Sequence, residues 1–161
     1  MRRELNLSNP VGHGGVLLEE GRALTALAGA VGGPVLEIGA AQGFSSRFIL
    51  DGLGPNDELV SVDPKHEAPW DDPRCARLHC RSDSDQVLKY PASFRWAFID
   101  GNHEAPWPAH DLELVERLGC DFAVLHDSAW KGWPDVREAL DGCGKDYLEL
   151  QTGCGLAIVR F

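Results

Sequence analysis

The sequence predicts an α/β fold with a doubly wound, seven-stranded mixed sheet that is mostly parallel and ends in an antiparallel hairpin. Three observations support this prediction. Short apolar runs alternate with segments of helical periodicity, which is typical of a sheet covered by helices on both faces. The inner runs are almost continuously apolar, as strands buried on both faces are. The last two runs are separated only by Gln151–Cys154, too short a segment for a crossover helix.

The elements follow from the chain in order. Apolar runs of strand length predict strands at Val35–Ile38, Glu58–Val62, Arg77–His79, Trp96–Ile99, Phe122–Leu125, Tyr147–Leu150 and Leu156–Val159. Helical spacing of apolar residues predicts helices at Val16–Ala28, Ser45–Leu53, Asp83–Lys89, His110–Leu118 and Pro134–Leu140. The segment Pro64–Cys75 contains three prolines, so we expect an irregular crossover there.

The composition is that of a soluble globular protein, with 43% hydrophobic and 25% charged residues. We expect a single domain spanning residues 1–161, with residues 1–10 as a flexible segment. The net charge of -10 provides no general basic surface, so neither nucleic acid nor a membrane is an expected partner. The five cysteines form no Cys-x-x-Cys pair, and no export signal precedes them, which predicts reduced thiols in the cytoplasm.

A glycine-containing turn follows the first predicted strand, in Val35–Ser45. Gly39 and Gly43 allow the backbone to approach a ligand closely, and the amides of the following helix favour a negative group. Asp63 closes the second strand 24 residues after Gly39, where a carboxylate can accept both hydroxyls of a ribose. Ala41 occupies the position of the middle glycine in the Gly-x-Gly-x-x-Gly motif of dinucleotide-binding proteins, so binding of a pyrophosphate is disfavoured. The alternative is a tight turn that needs glycine for packing alone.

The segment Val35–Ser45 resembles motif I of the class I S-adenosylmethionine (SAM)-dependent methyltransferases. Further segments, Glu58–Asp63, Phe98–His103 and Val124–Asp127, resemble the catechol, caffeoyl-CoA and macrocin-type O-methyltransferases. The resemblance extends from about Val11 to Phe161. It implies a Rossmann-like fold and methyl transfer from SAM to a hydroxyl of a small-molecule acceptor, as in secondary metabolism.

The resemblance also assigns a SAM site by motif. The cofactor-binding residues it implies are Glu37, Gly39, Ala40, Gly43, Ser45, Asp63, Ser82, Asp83 and Asp100. Residues of the glycine turn would line the methionine end, with Ser45 at its carboxylate. Asp63 would hold the ribose, and Ser82 and Asp83 would lie beside the adenine. A helix N-cap is the alternative role for Ser82 and Asp83.

Asp100 and Asp127 end neighbouring predicted strands, so their carboxylates should meet at one edge of the sheet. Two carboxylates could bind Mg²⁺ or Ca²⁺, and in the resembling enzymes a divalent ion clamps two substrate oxygens. The third ligand of that family would follow Asp127, where this chain has Ser128. Asp100 and Asp127 are therefore predicted either to bind a metal or to hydrogen-bond the acceptor.

Two histidines are the candidate catalytic residues. The resemblance places a general base at His103, and imidazole suits that role because its pKa lies near neutrality. His126, beside Asp127, is the second candidate. A structural hydrogen-bonding role is the alternative for both. Loop tryptophans at positions 70, 107, 130 and 133 would either form the acceptor pocket or cover the sheet.

The resemblance leaves the acceptor side and the reaction partly open. Val11 and Gly12 would fold over the SAM methionine, and few residues precede them. The acceptor side would be open, or closed by a partner subunit in a homodimer. Two other functions remain as alternatives: a SAM-binding domain without methyl transfer, and an NAD-type oxidoreductase.

Overall fold

The structure is a computed structural model, and it describes residues 15–161 except Trp130. The strands are β1 Val35–Ile38, β2 Leu59–Val62, β3 Cys75–Leu78, β4 Trp96–Ile99, β5 Phe122–His126, β6 Tyr147–Leu150 and β7 Leu156–Arg160. The helices are α1 Leu18–Val31, α2 Phe44–Gly52, α3 Asp85–Leu88, α4 Trp107–Arg117 and α5 Pro134–Gly142.

The strands form one seven-stranded sheet in the order β3-β2-β1-β4-β5-β7-β6. The first five strands pair in parallel, whereas β7 is antiparallel to both β5 and β6. The strand order reverses between β1 and β4, because the chain builds the sheet outward in one direction and then in the other. This topology confirms the predicted mixed sheet and places a ligand crevice at the carboxyl ends of β1 and β4.

Two hydrophobic cores cover the two faces of the sheet. One face packs against α1 and α2, with Leu24, Phe48 and Trp96 among its buried residues. The other face packs against α3, α4 and α5, with Leu112 and Leu140 among its buried residues. Alternate residues of each inner strand enter opposite cores, which explains why these strands are apolar on both sides.

All seven predicted strands are present, and the strands at Val35–Ile38, Trp96–Ile99 and Tyr147–Leu150 have the predicted bounds. β3 begins at Cys75 and ends at Leu78, not at Arg77 and His79 as predicted. β3 lies at the edge of the sheet and is only half-buried, so its apolar pattern is weak. No regular helix or strand forms between β2 and β3, as the prolines predicted.

The helix boundaries differ more from prediction, because caps define them. α1 begins at Leu18, not Val16, since Leu17 has an extended backbone and its N–H donates to the Glu20 carboxylate. α3 begins at Asp85, not Asp83, because Ser84 accepts a hydrogen bond from Gln86 N and is the N-cap. α4 begins at Trp107, three residues before the predicted start, with a proline in its first turn.

Among the described residues, no helix has the length and apolar character required to cross a membrane.

Candidate active site

A cavity of about 480 Å³ opens at the carboxyl ends of β1, β2 and β4. The predicted site residues that line it are Gly39, Ala40, Ser45, Asp63, Ser82, Asp100 and His103. It therefore lies at the crevice where the strand order reverses. Among the described residues, the predicted cofactor-binding residues Glu37, Gly43 and Asp83 are not part of its wall.

The glycine turn needs both of its glycines. Gly39 has a φ of +91°, and a Cβ there would lie 2.0 Å from the carbonyl oxygen of Asp100. Gly43 has a φ of +75° and packs under the Trp70 ring, which a Cβ would approach to 2.6 Å. The packing role and the ligand role coexist at Gly39, which also lines the cavity. Gly43 instead sets the start of α2.

Glu37 lies beneath the turn and is completely buried. Its carboxylate accepts hydrogen bonds from the hydroxyls of Ser45 and Ser46, both at 2.6 Å, and of Ser61 at 2.5 Å. Burial raises the pKa of Glu37, and the serine hydroxyls oppose that rise. In this arrangement Glu37 holds β1, β2 and α2 together below the cavity, and Ser45 lies between Glu37 and the cavity.

Asp63 lies at the end of β2, and its carboxylate organises two loops. One oxygen accepts from Ala41 N at 2.9 Å, and the other accepts from Lys65 N at 2.6 Å. Ala41 is held at a φ of +44°, which is uncommon for a residue other than glycine. Asp63 therefore fixes the glycine turn, and its carboxylate also lines the cavity.

Ser82 and a residue that the sequence reading missed, Asp111, form the far wall of the cavity. The Ser82 hydroxyl donates to the Asp111 carboxylate at 2.6 Å, and both residues are buried. Burial raises the pKa of Asp111. Beside them, the Arg81 guanidinium lies 4.3 Å from the Trp107 ring centroid. The N-cap alternative for Ser82 and Asp83 is wrong, because Ser84 caps α3; Asp83 instead forms a salt bridge with Arg81.

The predicted catalytic residues come together at the ends of β4 and β5. His103 Nε2 lies 3.2 Å from Asp100 Oδ1 and 2.9 Å from Asp127 Oδ2. His126 Nδ1 lies 3.2 Å from the same Asp100 oxygen and 3.3 Å from the same Asp127 oxygen. We call these four residues the histidine–aspartate cluster. The strand ends predicted that Asp100 and Asp127 would meet, whereas His103 came from the family resemblance and His126 from its position beside Asp127.

Charges within the cluster set its protonation. Burial lowers the pKa of His103, but its hydrogen bonds to Asp100 and Asp127 outweigh burial and raise the pKa to about 9. Burial also opposes protonation of His126, yet the nearby carboxylates, Asp100 foremost, raise its pKa strongly. Burial would raise the pKa of Asp127, but hydrogen bonds from the two imidazoles lower it. At neutral pH both histidines are imidazolium ions, in contrast to the near-neutral pKa expected for His103.

The cluster does not fit the magnesium ion that the sequence suggested. Ligand atoms of Asp100, His103 and Asp127 lie within 4.8 Å of one another, but one of the three is an imidazole nitrogen. Mg²⁺ and Ca²⁺ prefer six or more oxygens. One oxygen of each aspartate already contacts both imidazoles. Ser128 is buried, and its hydroxyl has no hydrogen-bond partner among the described residues. The described residues therefore bring two imidazoles to the two carboxylates, and not the all-oxygen ligand set that Mg²⁺ prefers.

The described loop tryptophans differ in whether they cover the glycine turn, line the cavity or contact His103. Trp70 covers the glycine turn at Gly43, and its ring centroid lies 5.1 Å from Cζ of Arg47 and 4.9 Å from Cζ of Arg77. Trp107 lines the cavity at its Ser82 end. Trp133 stacks on His103, with ring centroids 4.7 Å apart and an interplanar angle of 18°. Trp130, together with residues 1–10, Val11 and Gly12, lies outside the described residues.

Glu20 of α1 is the second residue of this region that the sequence did not predict. It is completely buried, and its carboxylate lies 3.0 Å from His126 Nε2. A signal was present, because Glu20 precedes Leu24 and Ala28 by four and eight residues and so lies on the buried face of the helix. Asp111 carries the same signal, since it lies one turn before the buried Leu114 and Val115.

Comparison with solved structures gives the same fold. Cofactor-bound Rv0187 from MTB is 23% identical, with a TM-score of 0.77, covering 91% of this chain and 81% of that one. The O-methyltransferase from Bacillus cereus in complex with SAH is 17% identical, with a TM-score of 0.77 and coverages of 93% and 84%. TomG from Streptomyces achromogenes, an O-methyltransferase involved in tomaymycin synthesis in complex with SAM, is 19% identical, with a TM-score of 0.73 and coverages of 91% and 81%.

Sequence comparison gives the family. A comparison with curated protein sequences gave no significant match. The family described as "Methyltransferase domain" matches residues 36–126, more than half of the chain, from β1 through the end of β5. That range includes the glycine turn, Asp63 and three members of the histidine–aspartate cluster, and it ends one residue before the fourth, Asp127. The resemblance to methyltransferases is thus confirmed, and the chain belongs to the methyltransferase-domain family.

Proposed function

We propose that this protein is a SAM-dependent methyltransferase that methylates a hydroxyl oxygen of a small molecule. The observation that carries the proposal is a single cavity lined by Asp63, Ser82 and the glycine turn on one side and by Asp100 and His103 on the other. A donor and an acceptor can therefore meet in one cavity, as methyl transfer requires. The solved structures of similar fold with bound SAM or SAH support the choice of cofactor.

The cavity wall supplies a group for each part of SAM. The Asp63 carboxylate would accept hydrogen bonds from the ribose hydroxyls. Ser82 and Asp111 provide polar atoms for the adenine, beside the apolar face of Trp107. Gly39 and Ala40 allow the methionine portion to approach the backbone at the amino end of α2, where amides favour its carboxylate.

The reaction is an in-line displacement at the methyl carbon. A lone pair of the acceptor oxygen forms the new C–O bond while the C–S bond breaks, and its electron pair converts the sulfonium to a neutral thioether. His103 takes the acceptor proton when its imidazole is neutral. Since Nε2 faces Asp100 and Asp127, Nδ1 is the nitrogen available to the acceptor. The carboxylates then stabilise the imidazolium that forms, as in other carboxylate–histidine pairs.

Binding of SAM without methyl transfer is the second candidate, because the pKa of His103 at about 9 leaves little neutral imidazole at pH 7. Methylation of a panel of phenols, catechols and sugar hydroxyls with labelled SAM separates the two candidates, when measured at pH 7 and pH 9. Label in any product establishes transfer. The NAD-type alternative has no support from the family match.

Calorimetry with SAM, SAH and NAD tests the cofactor assignment. We expect SAM and SAH to bind and NAD not to bind. Asp63→Ala should weaken SAM binding by about 10- to 100-fold, because a charge-assisted pair of hydrogen bonds to the ribose is lost. Binding of NAD in place of SAM would overturn the proposed function, and unchanged affinity in the variant would remove the ribose assignment.

Asp57→Ala is the matched control. Asp57 also holds a turn, since its carboxylate accepts from Gly54 N at 2.9 Å, but among the described residues it is not part of the cavity wall. It should leave SAM affinity unchanged. A loss of affinity in both variants would indicate that loop disorder, not the missing ribose contact, causes the effect.

The setting of the enzyme is also a proposal. We take residues 1–161 as one methyltransferase domain that acts on a small molecule in the cytoplasm, without nucleic acid or membrane as a partner. The five free cysteines support a reducing compartment. A homodimer that covers the acceptor side is the expected assembly if the cavity closes through a partner subunit, and light scattering would detect it.

A further inference from the structure

Glu20 places a third carboxylate behind the histidine–aspartate cluster. It comes from α1, on the opposite side of His126 from Asp100 and Asp127. His126 Nε2 contacts Glu20 at 3.0 Å, while its Nδ1 faces the two aspartates. The His126 ring thus bridges the buried helix and the cavity edge, and both of its nitrogens must carry protons to satisfy three carboxylates.

The Glu20 carboxylate is itself rigidly held. One oxygen accepts from Leu17 N at 2.7 Å, at the start of its own helix. The other oxygen accepts from the Thr152 hydroxyl at 2.7 Å and from Cys154 N at 3.1 Å, both in the turn between β6 and β7. A fully buried carboxylate with three donors of its own and one imidazole partner has a single allowed orientation. Burial raises its pKa, but these hydrogen bonds, with His126 foremost, outweigh burial and lower it.

The charges of Glu20 and of the four residues of the histidine–aspartate cluster depend on one another. Asp100, Asp127 and Glu20 carry three negative charges around two imidazolium ions. If Glu20 were neutral, the Nε2–H of His126 would lose its charged acceptor, and the ring could turn away from the aspartates. Asp100 and Asp127 would then lose a shared donor, and His103, which contacts the same two oxygens, would lose its alignment.

We infer that Glu20 is a positioning residue for methyl transfer: it holds His126 doubly protonated between Asp100 and Asp127, and so aligns His103 with the acceptor. This inference rests on the proposed function, and it adds a residue of α1 to the machinery. Glu20 touches neither SAM nor the acceptor, since among the described residues it does not line the cavity.

Glu20→Gln tests the inference, because it keeps the shape of the side chain and removes its charge. We expect kcat to fall by about 10-fold or more, with the KM for SAM and the calorimetric affinity for SAM unchanged within about 2-fold. Glu19→Gln is the matched control. Glu19 is the preceding residue and accepts from Gly153 N in the same turn, but it does not contact His126. It should retain wild-type kcat.

A purely structural role would give a different pattern. Glu20→Gln would then lower the melting temperature while folded protein kept wild-type kcat, and this result would overturn the inference. Equal loss of kcat in Glu19→Gln and Glu20→Gln would overturn it as well. Both glutamates contact the β6–β7 turn, so an equal loss would arise from that turn and not from His126.

A spectroscopic measurement on the wild-type protein keeps the inference testable if Glu20→Gln fails to fold. In ¹⁵N–¹H correlation spectra, we expect both ring nitrogens of His126 to be protonated at pH 7. A His126 Nε2 without a proton would overturn the inference. This readout needs neither SAM nor an acceptor, so it separates failure of the inference from failure of the proposed function, which calorimetry reports.

Discussion

At the scale of single residues, His103 is subject to two opposing effects. Burial disfavours its imidazolium, whereas Asp100 and Asp127 favour it strongly enough to raise its pKa to about 9. The histidine is therefore a poor base at neutral pH and a good hydrogen-bond donor. Its neutral form becomes available only as the pH approaches that pKa.

We predict that the single-turnover rate of methyl transfer rises between pH 7 and about pH 9 and then levels off. The sign follows from the requirement for neutral imidazole, whose fraction increases until the pH passes the pKa. Rates measured with saturating SAM at each pH test this, with SAM affinity recorded in parallel as the control. A flat or falling rate over the same range would show that His103 does not accept the acceptor proton.

The residues of the site differ in how well the sequence could predict them. Asp100, His103 and Asp127 follow strand ends of a parallel sheet, so their meeting could be predicted without coordinates. Glu20 could not be placed, because its contact with His126 requires the packing of α1 against a sheet edge 106 residues away. Glu37 fits motif I, yet the serine hydroxyls that surround it place its carboxylate below the cavity.

At the scale of elements, the turn between β1 and α2 depends on a close crossing of two backbones. Gly39 faces the carbonyl oxygen of Asp100, at the end of the neighbouring strand. This crossing brings the glycine turn into one cavity wall with Asp100 and His103 of the histidine–aspartate cluster. Any side chain at position 39 would separate β1 from β4 at their carboxyl ends.

We predict that Gly39→Ala destabilises the fold by more than about 3 kcal/mol, because it adds a steric clash to an unfavourable positive φ. Gly119→Ala is the control, since Gly119 also has a positive φ, +81°, but no atom lies within 4 Å of a Cβ there. It should cost about 1 kcal/mol. Urea unfolding of both variants checks this prediction. Equal losses of unfolding free energy would show that backbone strain alone, without the steric clash, explains the effect at Gly39.

Element boundaries were harder to predict than element types. Apolar periodicity correctly identified every strand and helix of the described residues, since burial against the sheet requires that pattern. The ends are set by local hydrogen bonds that periodicity does not encode. α3 begins two residues later than predicted because the Ser84 side chain caps it. α1 also begins two residues late, because the Glu20 carboxylate accepts a hydrogen bond from Leu17 N.

At the scale of the whole molecule, the buried imidazolium ions link stability to pH. The folded-state pKa of His103, about 9, exceeds its ordinary value of 6.5, so the folded protein retains this proton more tightly than the unfolded chain. The resulting stabilisation is complete below pH 6.5 and is lost as the pH rises through 9. His126, with its strongly raised pKa, acts in the same direction.

We predict that the melting temperature falls by about 5 °C or more between pH 6.5 and pH 9, a range that includes the one over which the rate rises. Differential scanning calorimetry at constant ionic strength tests this prediction. His103→Gln should reduce the slope, because one of the two linked protons is removed. A melting temperature that stays constant or rises would contradict the raised histidine pKa values.

The insertion of β7 between β5 and β6 has a consequence for biosynthesis. On the ribosome, β1, β2 and β3 emerge early, and with them the glycine turn and Asp63. Glu20 emerges earlier still, but two of its donors, Thr152 and Cys154, are made only after all five parallel strands. The nascent chain can thus assemble the strands that carry the glycine turn and Asp63 first, while the support for His126 is completed only when the β6–β7 hairpin enters the sheet.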